Sequence, residues 1–134
     1  MTKLNWIKVG IFFFVLLFLI FSCVIEDRLV VYALENVRDY CYKIEKATED
    51  YGGIVNGQVA SLVDNLDYSW TKDEEKLCYL VDHKAMEQLG VEIVRLKSYI
   101  DEEENIEFFT SLEIIKNYVE TFQHFMGSSY KNFL

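Results

Sequence analysis

Proline is absent from all 134 residues, and glycine occurs only six times. Proline removes a backbone donor and breaks helix interiors, so its absence suits long uninterrupted helices. No alternating run of β-branched residues is long enough for a strand, which excludes a sheet. Basic residues are also scarce, with 13 Lys and Arg against 22 Asp and Glu. All the acids lie beyond residue 25 together with 11 of the basic residues, so residues 26–134 carry a net charge of −11. Such a surface repels phosphate backbones and predicts no nucleic-acid partner. Histidine occurs twice and cysteine three times, with no C-x-x-C and no Cys/His cluster, which argues against redox catalysis and structural zinc. There is no G-x-S-x-G, and Gly52-Gly53 lacks the lysine and spacing of a phosphate loop. No catalytic set stands out, so the sequence predicts a non-enzymatic protein without a cofactor.

What the chain does have is a long apolar run near its start. Val9 to Ile25 is 17 residues without a charge. With Trp6 and Ile7 added, and Lys8 reaching back to the interface, it attains the roughly 20 residues needed to cross a bilayer. Lys3 and Lys8 precede the run and Glu26-Asp27-Arg28 follow it. The positive-inside rule then predicts a single-pass protein of the cell membrane, with a cytoplasmic N-terminus and residues 26–134 outside. Two domains are expected, a transmembrane anchor over 1–25 and an acidic helical domain over 26–134. The run is too long for an ordinary signal peptide and lacks a small-residue cleavage site. A second anchor chemistry is possible at Ile20-Phe21-Ser22-Cys23, which is similar to a bacterial lipobox with Cys23 as the lipidated residue. Phe21 fits that pattern poorly, and no polar linker follows.

Beyond the run, apolar residues recur at helical spacing. A first stripe is Leu29, Ala33, Val37, Tyr40, Ile44, Ala47 and Tyr51, ended by Gly52-Gly53. This helix is predicted to continue from the membrane run, since nothing between them breaks it. A second stripe runs Val55, Val59, Leu62, Leu66, Trp70, Leu77 and Val81. Thr71 and Glu74 have capping-box spacing, but the unbroken register favours one long helix. Asp82 is a candidate cap for a third stripe, Met86, Leu89, Ile93, Leu96 and Ile100. Asp101 to Glu104 is a polar link, after which Asn105 is placed to cap a fourth helix. Its stripe is Phe108/Phe109, Leu112, Ile115, Val119, Phe122 and Met126, closed by Gly127-Ser128-Ser129. The links are short, so the fold class is all-α: an N-terminal transmembrane helix followed by an antiparallel bundle of about four helices.

The most distinctive stretch runs from Trp70 to Ile100. His83 follows Trp70 by 13 residues within Leu80-Val81-Asp82-His83, Glu87 lies four beyond it, and Arg95-Leu96 leads to Tyr99-Ile100. This pattern resembles an uncharacterised bacterial family, domain of unknown function 4363. The resemblance extends over essentially the whole chain and rests on Trp70, Asp82-His83, Glu87 and Tyr99-Ile100. It implies a lysine-flanked membrane helix and a helical domain, mostly in spore-forming, Gram-positive-type bacteria. Such proteins are often encoded beside small multi-pass membrane proteins. The family has no assigned reaction to lend. Leu77 stands where members often have another tryptophan, and Lys84 where an acid is more usual.

Trp70, Asp82, His83, Glu87 and Tyr99 are therefore the candidate signature residues. His83 and Glu87 share a helix face and would supply half of a metal site. Zinc usually requires three or four protein ligands; with His124 the pair makes a conceivable three-ligand set that nothing else in the sequence supports. The simpler reading is that Asp82 caps a helix and His83 makes a local hydrogen bond. A pH-responsive role for His83 is the alternative. Cys41 and Cys78 lie beside different stripes, and would either pair outside the cytoplasm or pack as small hydrophobes. Asp101 to Glu104 lacks the glycine and ligand alternation of a calcium loop and reads as a solvated link. Trp70, Phe109 and Phe122 are expected in the core, while Phe125, Tyr130 and Phe133 are candidates for a docking patch. Together these features predict an accessory protein bound to the lipid bilayer and to another membrane protein.

Overall fold

The computed structural model describes residues 3–77, 79 and 83–131. It contains α1 (Lys3–Tyr51), α2 (Gly57–Leu77), α3 (His83–Asp101) and α4 (Asn105–Lys131). No strand occurs among the described residues. Two compact units divide between Val30 and Val31. The first is the apolar part of α1. Its side chains from Trp6 to Phe21 are exposed, and none of its most apolar stretch is buried. Among the described helices, only α1 is long and apolar enough to cross a membrane.

The second unit is a four-helix bundle made from the rest of α1 with α2, α3 and α4. Side-chain pairs fix its order and direction. Asn36 Nδ2 of α1 donates to Ser69 Oγ of α2 (2.6 Å), across the turn at 52–56. Lys97 of α3 pairs with Asp64 of α2 (2.7 Å). Tyr118 Oη of α4 donates to Gln88 of α3 (2.8 Å), and Ser111 meets Glu92 further along. Lys116 of α4 closes the ring on Glu45 of α1 (2.6 Å). From Gln88–Tyr118 to Glu92–Ser111, and from Arg38–Gln123 to Glu45–Lys116, one residue number rises as the other falls, so α3 and α4, and α1 and α4, run antiparallel, as short links require of neighbours.

The core is apolar and dense. Leu34, Cys41 and Ile44 of α1, Val59, Val63, Leu66 and Trp70 of α2, and Phe108, Leu112 and Ile115 of α4 are buried. In α3, Met86, Leu89, Ile93 and Leu96 have no exposed surface at all. Each such side chain contributes about 1.5–3 kcal/mol on burial.

Several stripe positions differ from the sequence reading. Val63 is buried where Leu62 was expected, and Ile54 where Val55 was expected. Tyr40 is only half-buried and Tyr51 is exposed, while Leu34, Cys41 and Thr48 complete the α1 stripe. Phe108 is the core aromatic of α4, whereas Phe109 is 40% exposed, and its edge meets the Phe108 ring at a centroid distance of 5.5 Å. Leu62 and Val63, Tyr40 and Cys41, and Phe109 and Phe108 are each a face one residue out of register. Ile54 belongs to the turn and does not obey helical spacing. Thr48 and Ser111 tolerate burial because each hydroxyl has a carbonyl or carboxylate partner.

The helix ends follow cap chemistry. Gly52 (φ 76°) and Gly53 (φ 153°) adopt left-handed backbone, and Gly53 N–H donates to Thr48 O (2.9 Å). This is the Schellman arrangement, and it needs glycine. Asn56 Oδ1 then caps α2 by accepting from the N–H groups of Gln58 (2.7 Å) and Val59 (3.1 Å). Thr71 makes no helix break: its hydroxyl donates back to Asp67 O (2.9 Å) and α2 runs through to Leu77. The helix stops short of Val81, which lies with Cys78, Leu80 and Asp82 outside the described residues. Gly127-Ser128-Ser129 does not close α4, which continues to Lys131. Glycine and serine lower helix propensity by about 1 kcal/mol or less each, too little to stop an established helix.

At the α3–α4 link a non-glycine residue takes the strained position. Glu103 has φ 59°, and Glu104 N–H donates to Tyr99 O (2.9 Å). A left-handed side chain costs about 1–2 kcal/mol, part of which glycine gives back as unfolded-state entropy. Glu103→Gly is therefore expected to stabilise the bundle by about 0.5–1 kcal/mol. Chemical denaturation followed by circular dichroism measures this, and an unchanged midpoint would refute the strain argument.

Candidate functional site

Two helix faces meet in a groove that contains two of the signature residues. On α2, Asp67, Trp70, Thr71 and Glu74 recur at helical spacing. On α3, Glu87, Gly90, Val91 and Val94 do the same. Together with Arg95 they line a cavity of about 340 Å³. Its floor is Trp70, only 2% exposed. Its outer wall is apolar, with Val91 and Val94 reaching solvent.

Gly90 explains how the helices approach here. A Cβ at that position would stand 3.0 Å from Trp70 Nε1 and 3.4 and 3.5 Å from the Glu74 carboxylate oxygens. Any side chain would therefore press on the indole, so Gly90 serves close packing and costs α3 some helix propensity. The indole N–H itself is buried and has no hydrogen-bond partner. Such a donor costs about 1–3 kcal/mol.

Tyr99 lies on the other side of α3. It lines a smaller cleft with Glu92, Arg95, Ile106, Ser111 and Ile114. The Glu92 carboxylate is held from both sides, by Arg95 Nη1 (2.6 Å) and by Ser111 Oγ (2.9 Å). The structure thus brings Trp70 and Glu87 together and sets Tyr99 in the neighbouring cleft. Arg95 borders both. Asp82 and the side chain of His83 lie outside the described residues, though the His83 backbone opens α3. His124 is an exposed residue of α4, and among the described residues no three His, Cys, Asp or Glu side chains cluster as metal ligands. Cys23 is exposed on the apolar part of α1. The side chains of Phe125, Tyr130 and Phe133 also fall outside the description, and Phe122 is half-buried.

Gly90, Val91 and Val94 were not singled out by sequence reasoning, and Arg95 entered it only through the Arg95-Leu96 part of the pattern. An isolated glycine inside a helical pattern was the available signal. Its meaning depends on which residue lies opposite, and that is a property of helix pairing.

A second polar cluster joins α1 to α4. Lys116 Nζ sits between Glu45 (2.6 Å) and Glu113 (2.8 Å). The hydrogen bonds it donates to Glu113 and then to Glu45 push its ammonium above the usual lysine value. Cys41 beneath is a free, fully buried thiol, and burial pushes its pKa up to about 12. Below pH about 9 that thiol is neutral folded or unfolded and contributes no pH dependence. Between about 9 and 12 only the unfolded chain releases the proton, so stability falls as pH rises, approaching about 1.4 kcal/mol per unit. The raised Lys116 acts in the same direction, since its contribution is present below the ordinary lysine value and lost above it. Unfolding measured from pH 8 to 11 should show this decline. Cys41→Ala should make it shallower, and an unchanged slope would contradict the assignment.

The profile of a family described as a domain of unknown function (DUF4363) matches residues 31–132. The chain belongs to this family. The match covers the bundle, and within it Trp70, Glu87 and Tyr99 of the groove and cleft. No curated protein and no solved structure matches the chain. Family membership therefore adds no reaction or ligand to the DUF4363 bundle, and its surface has to be read on its own chemistry.

Proposed function

We propose that this DUF4363 protein is a non-enzymatic accessory subunit, anchored in the cell membrane by one span and acting by contact with another membrane or envelope protein. The observation that carries the reading is the most apolar stretch of α1, none of which is buried. A helix of that length with exposed Phe, Leu and Ile on every side is stable where hydrocarbon replaces water. Lys3 and Lys8 before it, and the acids after it, favour a cytoplasmic N-terminus and an external bundle.

The bundle's own surface supports a contact role. Val94 is 58% and Ile106 78% exposed, and Val91 and Ile114 also reach solvent. These residues edge the groove and cleft on either side of α3. Apolar residues gathered along clefts on a strongly acidic domain are the composition of a docking surface.

In-cell photocrosslinking from Val94 tests the proposal, with Tyr42 on α1 as a control position. One recurrent membrane protein captured from Val94 and not from Tyr42 is the expected result. Capture of nothing, or of the same background from both positions, would reject the accessory role.

A further inference from the structure

The two ends of the bundle carry links of opposite character. At one end α3 passes to α4 through Asp101-Glu102-Glu103-Glu104. At the other, α2 passes towards α3 through Leu77-Cys78-Tyr79-Leu80-Val81, a run without a charge, of which the structure describes Leu77 and Tyr79. Links between helices are ordinarily polar and rich in Gly, Asn and Asp. Leu77 is buried, but Tyr79 is 91% exposed, the most of any large apolar or aromatic side chain among the described residues.

The uncharged link lies at the end where the chain enters the bundle from the apolar run. Asn36 meets Ser69 across the short turn at 52–56, so α2 runs back along α1. Leu77, the last residue of α2, is about 12 Å past Ser69 at the helical rise, and an equal step back from Asn36 passes Val31, where the bundle unit begins. From Trp70–Gly90 to Asp64–Lys97 the numbers run oppositely, so α3 starts at this end too. The same step from the Arg38–Gln123 contact takes α4 to its end, where the sequence reads Tyr130-Lys131. Ile25, the last residue of the uncharged run, is six residues before Val31. Chain length alone therefore tethers this end within about 20 Å of a bilayer that the run spans.

We infer that the Tyr79 end of the bundle rests in the headgroup layer of the same membrane, with Tyr79 in the interface and Lys76 and Lys84 extended to lipid phosphates. The inference rests on the membrane anchor of the proposed function and adds a second contact with that bilayer. A tyrosine ring has an apolar body and a polar tip, the composition enriched at membrane interfaces. Lysine carries its charge on an apolar stem that suits the same depth. Lys76 and Lys84 are exposed on either side of Tyr79. The Lys76–Asp73 pair (3.2 Å) lies at the surface, where ion pairs are too weak to hold a lysine from another partner. Glu74 and Glu75 keep this end from being basic, so the aromatic surface leads the contact. The far end, with four consecutive acids, is repelled by phosphates. Lipid is the occupant because the tether holds it at high effective concentration, which no freely diffusing protein shares.

The test uses the full chain in phosphatidylcholine nanodiscs. A nitroxide is placed at Tyr79→Cys, with Cys23→Ser and Cys78→Ser in the background and Cys41 fully buried. Power saturation reads its collisions with oxygen, which concentrates in lipid, and with a water-soluble nickel chelate. The oxygen-to-nickel ratio should exceed that of a Glu102→Cys label on the far link at least threefold. Lys76→Glu with Lys84→Glu should lower the ratio at position 79 at least twofold. Lys43→Glu with Lys46→Glu, the same charge change farther along α1, should leave it unaltered. A ratio at 79 equal to that at 102, or equal effects from the two lysine pairs, would overturn the inference. A Phe14→Cys label reads the anchor separately. If position 14 is immersed in lipid while 79 matches 102, the anchor stands and the inference falls. If position 14 also behaves as in water, both fall.

Discussion

Trp70→Ala is expected to cost about 3–5 kcal/mol, the range for deleting a buried aromatic ring. Small domains hold only about 5–15 kcal/mol in total, so the variant should be largely unfolded or close to it. Trp70 is 2% exposed and bridges α2 to α3 at the one place where α3 has no side chain, Gly90. Its removal empties the floor of the groove between α2 and α3. Trp70→Phe separates packing from polarity. It shortens the ring but also removes a buried N–H that has no partner. The lost packing is then partly offset by the relieved desolvation, and a cost of about 1–2 kcal/mol is expected. Urea denaturation of the full chain in detergent, followed by helical circular dichroism, measures both. If Trp70→Ala costs no more than Val94→Ala at the exposed wall, the groove floor is not part of the core.

The second large effect concerns the apolar part of α1. Phe14→Lys with Leu17→Lys places two charges near the middle of the uncharged run. Each costs about 2.5–3.5 kcal/mol at the centre of a span, so the pair shifts membrane partitioning by a factor on the order of 10⁴. The variant should leave the carbonate-resistant membrane fraction, while Phe14→Leu with Leu17→Phe should remain in it. Retention of the double-lysine variant would contradict the anchoring role. Because the charges lie outside the bundle unit, its helical signal and denaturation midpoint should be unaffected.

How much of this was legible beforehand depended on the kind of feature. Met86, Leu89, Ile93 and Leu96 were read correctly from spacing, and all four are fully buried. A helix with one wide apolar stripe has only one way to face a core. Gly52-Gly53 was likewise legible as a stop, because left-handed backbone selects glycine. Where apolar residues stand side by side, spacing alone failed. Leu62 and Val63, and Phe108 and Phe109, each offer two registers, and neighbouring helices decide between them. Ser111 and Thr48 were missed because a hydrophobic stripe does not count hydroxyls, although a satisfied hydroxyl packs well inside.

The candidate site was legible in part. Trp70 and Glu87 were named from the resemblance, and the structure places them in one groove. What gives the groove its form is the meeting of Gly90 with Trp70. Those residues lie on different helices, and no local pattern states that they touch. The separation of Tyr99 from Trp70 has the same origin, since the two belong to opposite flanks of α3.

The proposed accessory role requires the helical bundle to be held outside the cytoplasm by one apolar helix. The most direct measurement is labelling of Tyr42→Cys by a membrane-impermeant maleimide in intact cells, with Cys23→Ser and Cys78→Ser in the background. Tyr42 is exposed on the bundle part of α1, and the remaining Cys41 is a fully buried thiol that burial keeps protonated. The account predicts full labelling of intact cells, with the labelled protein in the membrane fraction. Labelling only after lysis would place the bundle on the cytoplasmic side, and would contradict the account.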